Sequence, residues 1–269
     1  MNDAYIQIGY DQLALSALLI GVNLALSFLL RLGLGKQLLI AALRMTVQLL
    51  LVGLVLEWIF SVRQPLPILA MALVMATLAG VAAVNRTKRR FPGIYWNSLV
   101  SILVASFVVT GLALNGILRV EPWFDPQYLI PLLGMVLGNA LTGISLGLDR
   151  FMEGCVQNRA LIESLLSLGA SRWEAAHREV KEALRTGMIP VINSMMIMGV
   201  VSLPGMMTGQ ILAGADPVDA VRYQVVIMFM IASCTALATL GVVLFGFRTL
   251  FSSRDELLIE RLRGVEDSR

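Results

Sequence analysis

One histidine, two cysteines and few charges set the first limits on this 269-residue chain. With His177 as the single histidine, a multi-histidine metal site is ruled out. Cys155 and Cys234 lie far apart in sequence, with neither C-x-x-C spacing nor the pattern of a disulfide framework. Asp, Glu, Lys and Arg make up only 14% of residues, whereas 57% are hydrophobic and the mean hydropathy is +0.79. A soluble domain of this length cannot hide so much apolar surface, so the chain reads as an all-α polytopic membrane protein. A P-loop is also missing. Gly33-Leu34-Gly35-Lys36-Gln37 lacks the upstream glycine, and Gln37 stands where a Ser or Thr would hold magnesium. The chain is therefore expected to bind no cofactor and to hydrolyse no ATP itself. No nucleophile has an evident histidine partner and no carboxylate pair falls within an apolar run, so no catalytic residue is assigned. The basic residues are scattered over short loops, so a pI near 9.1 does not signal nucleic acid.

Seven apolar runs are present, at 12–30, 38–60, 65–84, 97–118, 128–148, 188–213 and 223–247. Each is near the roughly 20 residues that a spanning helix needs. The first has no basic stretch before it and no small-residue cleavage site, so it reads as a span, not a signal peptide. The connections after runs one, three and five, with the C-terminal tail at 248–269, carry seventeen of the twenty-one Lys and Arg. The other side has only Arg63, Arg119 and Arg222. The positive-inside rule then places the N-terminus outside and the C-terminus in the cytoplasm. Asp3, Asp11, Glu57, Glu121, Asp125, Asp216 and Asp219 fall on or near the outer side. That acidity is either a by-product of basic depletion or an exit that draws cations.

The sixth run is interrupted. Ser202-Leu203-Pro204-Gly205 is followed by Met206, Met207, Thr208 and Gln210, and then by the acidic turn Ala215-Asp216-Pro217. Proline removes a helix N–H and clashes with the preceding turn. Backbone freed in this way survives in hydrocarbon only where protein or a watery cavity surrounds it. Two readings are open: a kinked helix, or a segment lining a pathway. On the second, Ser202, Pro204, Gly205, Met206, Met207, Thr208 and Gln210 form the path, with Asp216 and Asp219 at its outer mouth. The methionines at 195, 196, 198, 206 and 207 suit flexible packing better than a metal relay, since thioethers favour Cu(I). No residue is assigned as a metal ligand.

The long insert at 149–187 reads as a cytoplasmic helical hairpin within a single transmembrane domain, 1–269. Helical spacing over 151–168 stops at Gly169, and Ser171-Arg172-Trp173-Glu174 is a capping box that starts a new helix. Glu174 with Arg178, and Arg178 with Glu182, are spaced for ion pairs. A hairpin that only linked two helices could be far shorter. Its elbow, Leu168, Gly169, Ala170 and Ser171 with Trp173 beside it, therefore suits insertion into a soluble partner. The alternative is a stalk packed on itself.

Elsewhere, Arg44 lies about two turns inside the second run, with Gln48 one turn further on the same face. An intramembrane Arg needs a partner or a route to the interface. Gly134, Gly138, Gly143 and Gly147 are small-xxx-small steps for close helix packing, with Asn139 placed to bond across helices.

Arg44-x-x-x-Gln48-Leu49-x-x-x-Gly53, Gly134-Met135-x-x-Gly138-Asn139, Leu168-Gly169-Ala170 and the block from Ser202 to Gln224 together resemble the FetB family. These are permease subunits of a bacterial ABC transporter implicated in iron export, similar to plant aluminium-tolerance permeases. The resemblance covers nearly the whole chain, and the block around Pro204 is its most specific part. It implies a bacterial inner-membrane permease homodimer, a separate ABC ATPase subunit that uses ATP and Mg, and a metal ion or complex as substrate. Arg44, Gln48 and Asn139 join the expected path as well, and no metal ligand is carried over from the resemblance. The hairpin departs from the importer E-A-A motif: Glu163 and Gly169 keep its spacing, but the downstream Ile-x-Leu-Pro is missing. The reading from another class is a stand-alone membrane channel or an integral membrane enzyme.

Overall fold

The computed structural model describes residues 9–62 and 64–264. Asp3 and Arg63, used above in the charge count, lie outside them, as does the end of the tail. The chain runs α1 (Tyr10–Leu29), α2 (Gly35–Val62), α3 (Pro65–Asn85), β1 (Arg89–Arg90), α4 (Ile94–Leu112), α5 (Pro126–Gln157), α6 (Arg159–Ser167), α7 (Arg172–Ile197), α8 (Gly205–Leu212), α9 (Pro217–Leu250) and β2 (Arg263–Gly264). A π-helical turn, Ala113–Ile117, extends α4. Prolines start α3, α5 and α9, where their missing N–H has no intrahelical partner to lose. Asp125 and Asp216 cap α5 and α9 by accepting from Gln127 N and Val218 N.

Among the described residues, six helices are long and apolar enough to cross a membrane: α1 to α5 and α9. With the relatives described below, this is an all-α polytopic membrane protein. The run at 188–213 is not one helix. Its first part completes α7, residues 198–204 are irregular, and α8 takes up the remainder. The interruption comes earlier and is wider than the Leu203-Pro204-Gly205 break expected from sequence. Pro204 does not kink a helix but precedes α8 as its N-cap. The hairpin boundaries shift as well. α5 continues without a break past residue 149 to Gln157, and the chain turns at Asn158 before α6.

α5 is the central post, packed along both α7 and α9, with α3 and α4 completing the body. Glycines allow the approach. A Cβ on Gly143 would stand 2.5 Å from Thr235 Cγ2, and one on Gly147 2.5 Å from Thr239 Cγ2. A Cβ on Gly187 would stand 2.8 Å from the Gly143 carbonyl oxygen. Gly138, by contrast, has open space beside it. Interhelical hydrogen bonds fasten the same body: Ser98 Oγ donates to Gly80 O and Ser145 Oγ to Ala83 O. α1 and α2 stand apart, with Ser27 and Ile59 as their only buried residues.

Candidate functional site: an exposed elbow and a methionine-lined cleft

The elbow between α6 and α7 is built from local chain chemistry. Ala170 N donates to Leu165 O and Gly169 N to Leu166 O, the paired bonds of a Schellman stop. That geometry needs a left-handed residue, and Gly169 sits at φ +93°. The next helix starts at once. Ser171 N donates to Glu174 Oε2 at 2.8 Å, and Ser171 Oγ lies 2.7 Å from the same oxygen. These bonds hold the Glu174 carboxyl below its usual range. They also explain why the expected Glu174–Arg178 pair does not form: the capping box has already taken the carboxylate. Arg178–Glu182 does not pair either among the described residues.

The elbow is tied down on one side and bare on the other. Trp173 stands edge-on to Phe247 of α9, ring centroids 5.6 Å apart, and edge-on to His177 at 5.5 Å. The tail folds back onto the α7 start: Arg172 N donates to Asp255 Oδ1 at 2.9 Å, and Arg172 Nη1 to Ser252 O. Below the turn, Glu179 is buried and accepts from Asn158 Nδ2 at 2.9 Å, against Gly154 of α5. Leu168, at the tip, is 86% exposed. Sequence reasoning had placed Trp173 in the docking face. The structure turns one edge of its ring into the bundle and leaves 43% of the residue exposed.

The second feature is a cleft of about 390 Å³ where α7 breaks off. Met195, Met198, Pro204, Met207, Gln224 and Met228 line it, with apolar neighbours. The break is internally bonded. Ile197 O accepts from Val201 N, Gly199 N donates to Ser202 O, and Pro204 O accepts from both Thr208 N and Thr208 Oγ. Pro204 and Thr208, both among the expected path residues, therefore have their carbonyl and hydroxyl engaged with each other. What is free lies on α9. Gln224 is 6% exposed, its Nε2 contacts Met198 Sδ at 3.9 Å, and its Oε1 is buried with no hydrogen-bond partner among the described residues. Gln210 Oε1 is likewise buried without a partner there.

Of the expected path residues, Pro204 and Met207 reach the cleft, with Ser202, Gly205, Met206 and Thr208 around the same break. Arg44 and Gln48 do not. Both are exposed on α2, which packs on α1 and the edge of α5. Asn139 bonds its own helix, Nδ2 to Met135 O, and not a neighbour. Asp216 is occupied as the α9 cap, and Asp219 pairs with Arg222 at 2.9 Å. The residues that reasoning missed are Gln224 and Met228. Both sit in a helix that reads as a plain span, and Gln224 at its apolar start was the available signal.

The sequence that builds this helical membrane body is similar to those of known proteins. Residues 10–251 match the model of an uncharacterised protein family, UPF0014. The chain belongs to this family. The UPF0014 membrane protein slr1647 of Synechocystis is 37% identical over 96% of this chain and 100% of its own length. The probable iron export permease protein FetB of Escherichia coli is 33% identical over 94% of this chain and 96% of its own. Protein ALUMINUM SENSITIVE 3 of Arabidopsis thaliana is 34% identical over 84% and 82%. No solved structure matches the chain. The UPF0014 match spans both the elbow and the cleft.

Proposed function

We propose that this chain is the permease subunit of an ABC transporter that exports iron or another metal ion or complex across a bacterial inner membrane. The observation that carries the reading is the elbow. A leucine exposed at the tip of a Schellman turn, on a helix pair anchored to α9, suits a knob that docks in a groove of an ATPase subunit. The resemblance to an iron export permease supplies the substrate class and the direction. The N-terminus lies outside and the C-terminus in the cytoplasm, on the same side as the ATPase, with the broken α7–α8 run making the seventh crossing beside the six membrane-length helices. Two copies form the working unit. α1 and α2 bury almost nothing within one copy, and Arg44 on α2 needs a polar partner in the membrane. The metal passes beside the α7–α8 break, where the Gln224 carbonyl and neighbouring thioethers bind weakly enough to release it.

Two measurements test this. A tagged permease should co-purify with a soluble ATPase, and proteoliposomes holding both should show ATP-driven flux of iron in a panel of metals and organic solutes. Flux without ATP, or turnover of a substrate by the permease alone, would replace the reading with a channel or an enzyme.

A further inference from the structure

At the end of the bundle that carries the elbow, β1 and β2 pair antiparallel with Arg90 directly opposite Arg263. Like charges facing each other across a strand pair are destabilising. Arg261 joins them around a cavity of about 400 Å³ that also includes Gly93 and Tyr95. Two α5 carboxylates at this end are engaged with β1 and its approach: Glu153 pairs with Arg89, and Asp149 accepts from Lys88 N. Arg261 Nη1 donates to Thr249 O, and the Arg90 guanidinium lies 5.4 Å from the Tyr95 ring centroid. Arg90 Nε is buried with no hydrogen-bond partner among the described residues. The cavity also faces the start of α4, whose N-cap Gly93 provides no side-chain cap. Helix N-termini favour anions.

We infer that this cavity is a phosphate site, filled by the headgroup phosphodiester of an anionic membrane lipid. Three arginines and a helix start without a side-chain cap line one space, which an oxyanion would neutralise. The place favours a lipid over a free ion. α4 is a membrane-length helix, and Trp96 in its first turn is 68% exposed beside Tyr95, as in the aromatic belts at bilayer surfaces. Basic pockets at that level hold anionic headgroups. The lipid would brace the α3–α4 connection against the folded-back tail.

The test uses the full chain in detergent, titrated with short-chain phosphatidylglycerol, short-chain phosphatidylcholine or sodium phosphate and read by native mass spectrometry. Phosphatidylglycerol should bind about tenfold or more tightly than phosphatidylcholine. Arg90→Gln with Arg263→Gln should remove that preference, and Arg254→Gln should keep it. Arg263→Gln alone, a change at an exposed side chain, should weaken it and guards against misfolding of the double variant. Three outcomes overturn the proposal: no headgroup preference, an undiminished preference in the Arg263→Gln variant, or sodium phosphate binding as tightly as phosphatidylglycerol and displacing it. A preference that emerges only after Glu266→Gln with Asp267→Asn would also overturn it, by assigning the cavity to the chain's own tail.

Discussion

The indole of Trp173, one residue into α7 beyond the elbow, meets the Phe247 ring at an interplanar angle of 82°. Phe247 packs in turn on Phe251. From Phe247, α9 runs unbroken back to Gln224 in the cleft. A push on the elbow therefore reaches a single rigid helix whose far part lines the proposed path. Packed aromatic contacts transmit such displacement because interiors have little compressibility.

Trp173→Ala should loosen that contact and leave the permease inserted, with substrate-stimulated ATP hydrolysis lost. Loss of the edge-on aromatic contact removes ~0.5–1.5 kcal/mol beyond area burial, too little to unfold a bundle of this size. Gly169→Pro should uncouple as well, since proline cannot adopt positive φ. Normal stimulation in both variants would take the elbow out of the mechanism.

The elbow was legible because its signals are local. Gly169 as a stop and Ser171-x-x-Glu174 as a start depend on a few neighbouring residues, and both appear in the structure as read. The membrane class followed from composition for the same reason. Tertiary relations were not legible. Nothing in the sequence separates Gly138, which faces open space, from Gly143, which touches α9, because the same spacing serves both. Thr208 reads from sequence as a path residue, because its bond to the Pro204 carbonyl arises only once α8 forms. The tail looked like a charged extension, and its Asp255 contact with Arg172 joins residues far apart in the chain.

The glycine contrast yields a direct prediction. Gly143→Ala should destabilise the bundle by ~1–3 kcal/mol, because Thr235 and the α7 backbone leave no room for the new methyl. Gly138→Ala, five residues earlier on α5, should be close to neutral. Thermal unfolding in detergent separates them, and equal midpoints would mean that α5, α7 and α9 do not pack as closely as described.

The capping box gives the elbow a pH dependence. The Glu174 carboxyl is held below its ordinary value of 4.5 by its bonds to Ser171. A depressed folded value means that the stabilisation is fully present above the ordinary value and fades as pH falls through the folded one. The protection of amides at the start of α7, corrected for intrinsic exchange, should fall in acid below about pH 4.5 in the native protein. Glu174→Gln keeps a capping side chain but cannot titrate, so its exchange should follow only the intrinsic chemistry. An identical acid response in the variant would assign the effect to another group.

The path prediction rests on Gln224. Its Oε1 is buried without a partner among the described residues, and its amide touches only the Met198 sulfur. A buried carbonyl left without a partner is costly, so Gln224→Leu should fold at least as well as the native chain. If that carbonyl meets the substrate, flux per inserted protein should nonetheless fall about tenfold, the change expected when one hydrogen-bond-strength contact is lost. Pro204→Ala should have a smaller effect. Its φ of −64° suits alanine, and its carbonyl is already held by Thr208. Asp216→Asn should be smaller still, because asparagine caps a helix nearly as well as aspartate. The decisive measurement is transport normalised to inserted protein for all three variants. Full transport by Gln224→Leu would show that the methionine-lined cleft is a packing defect filled by lipid, and the path would then have to be sought on the Arg44 face of α2.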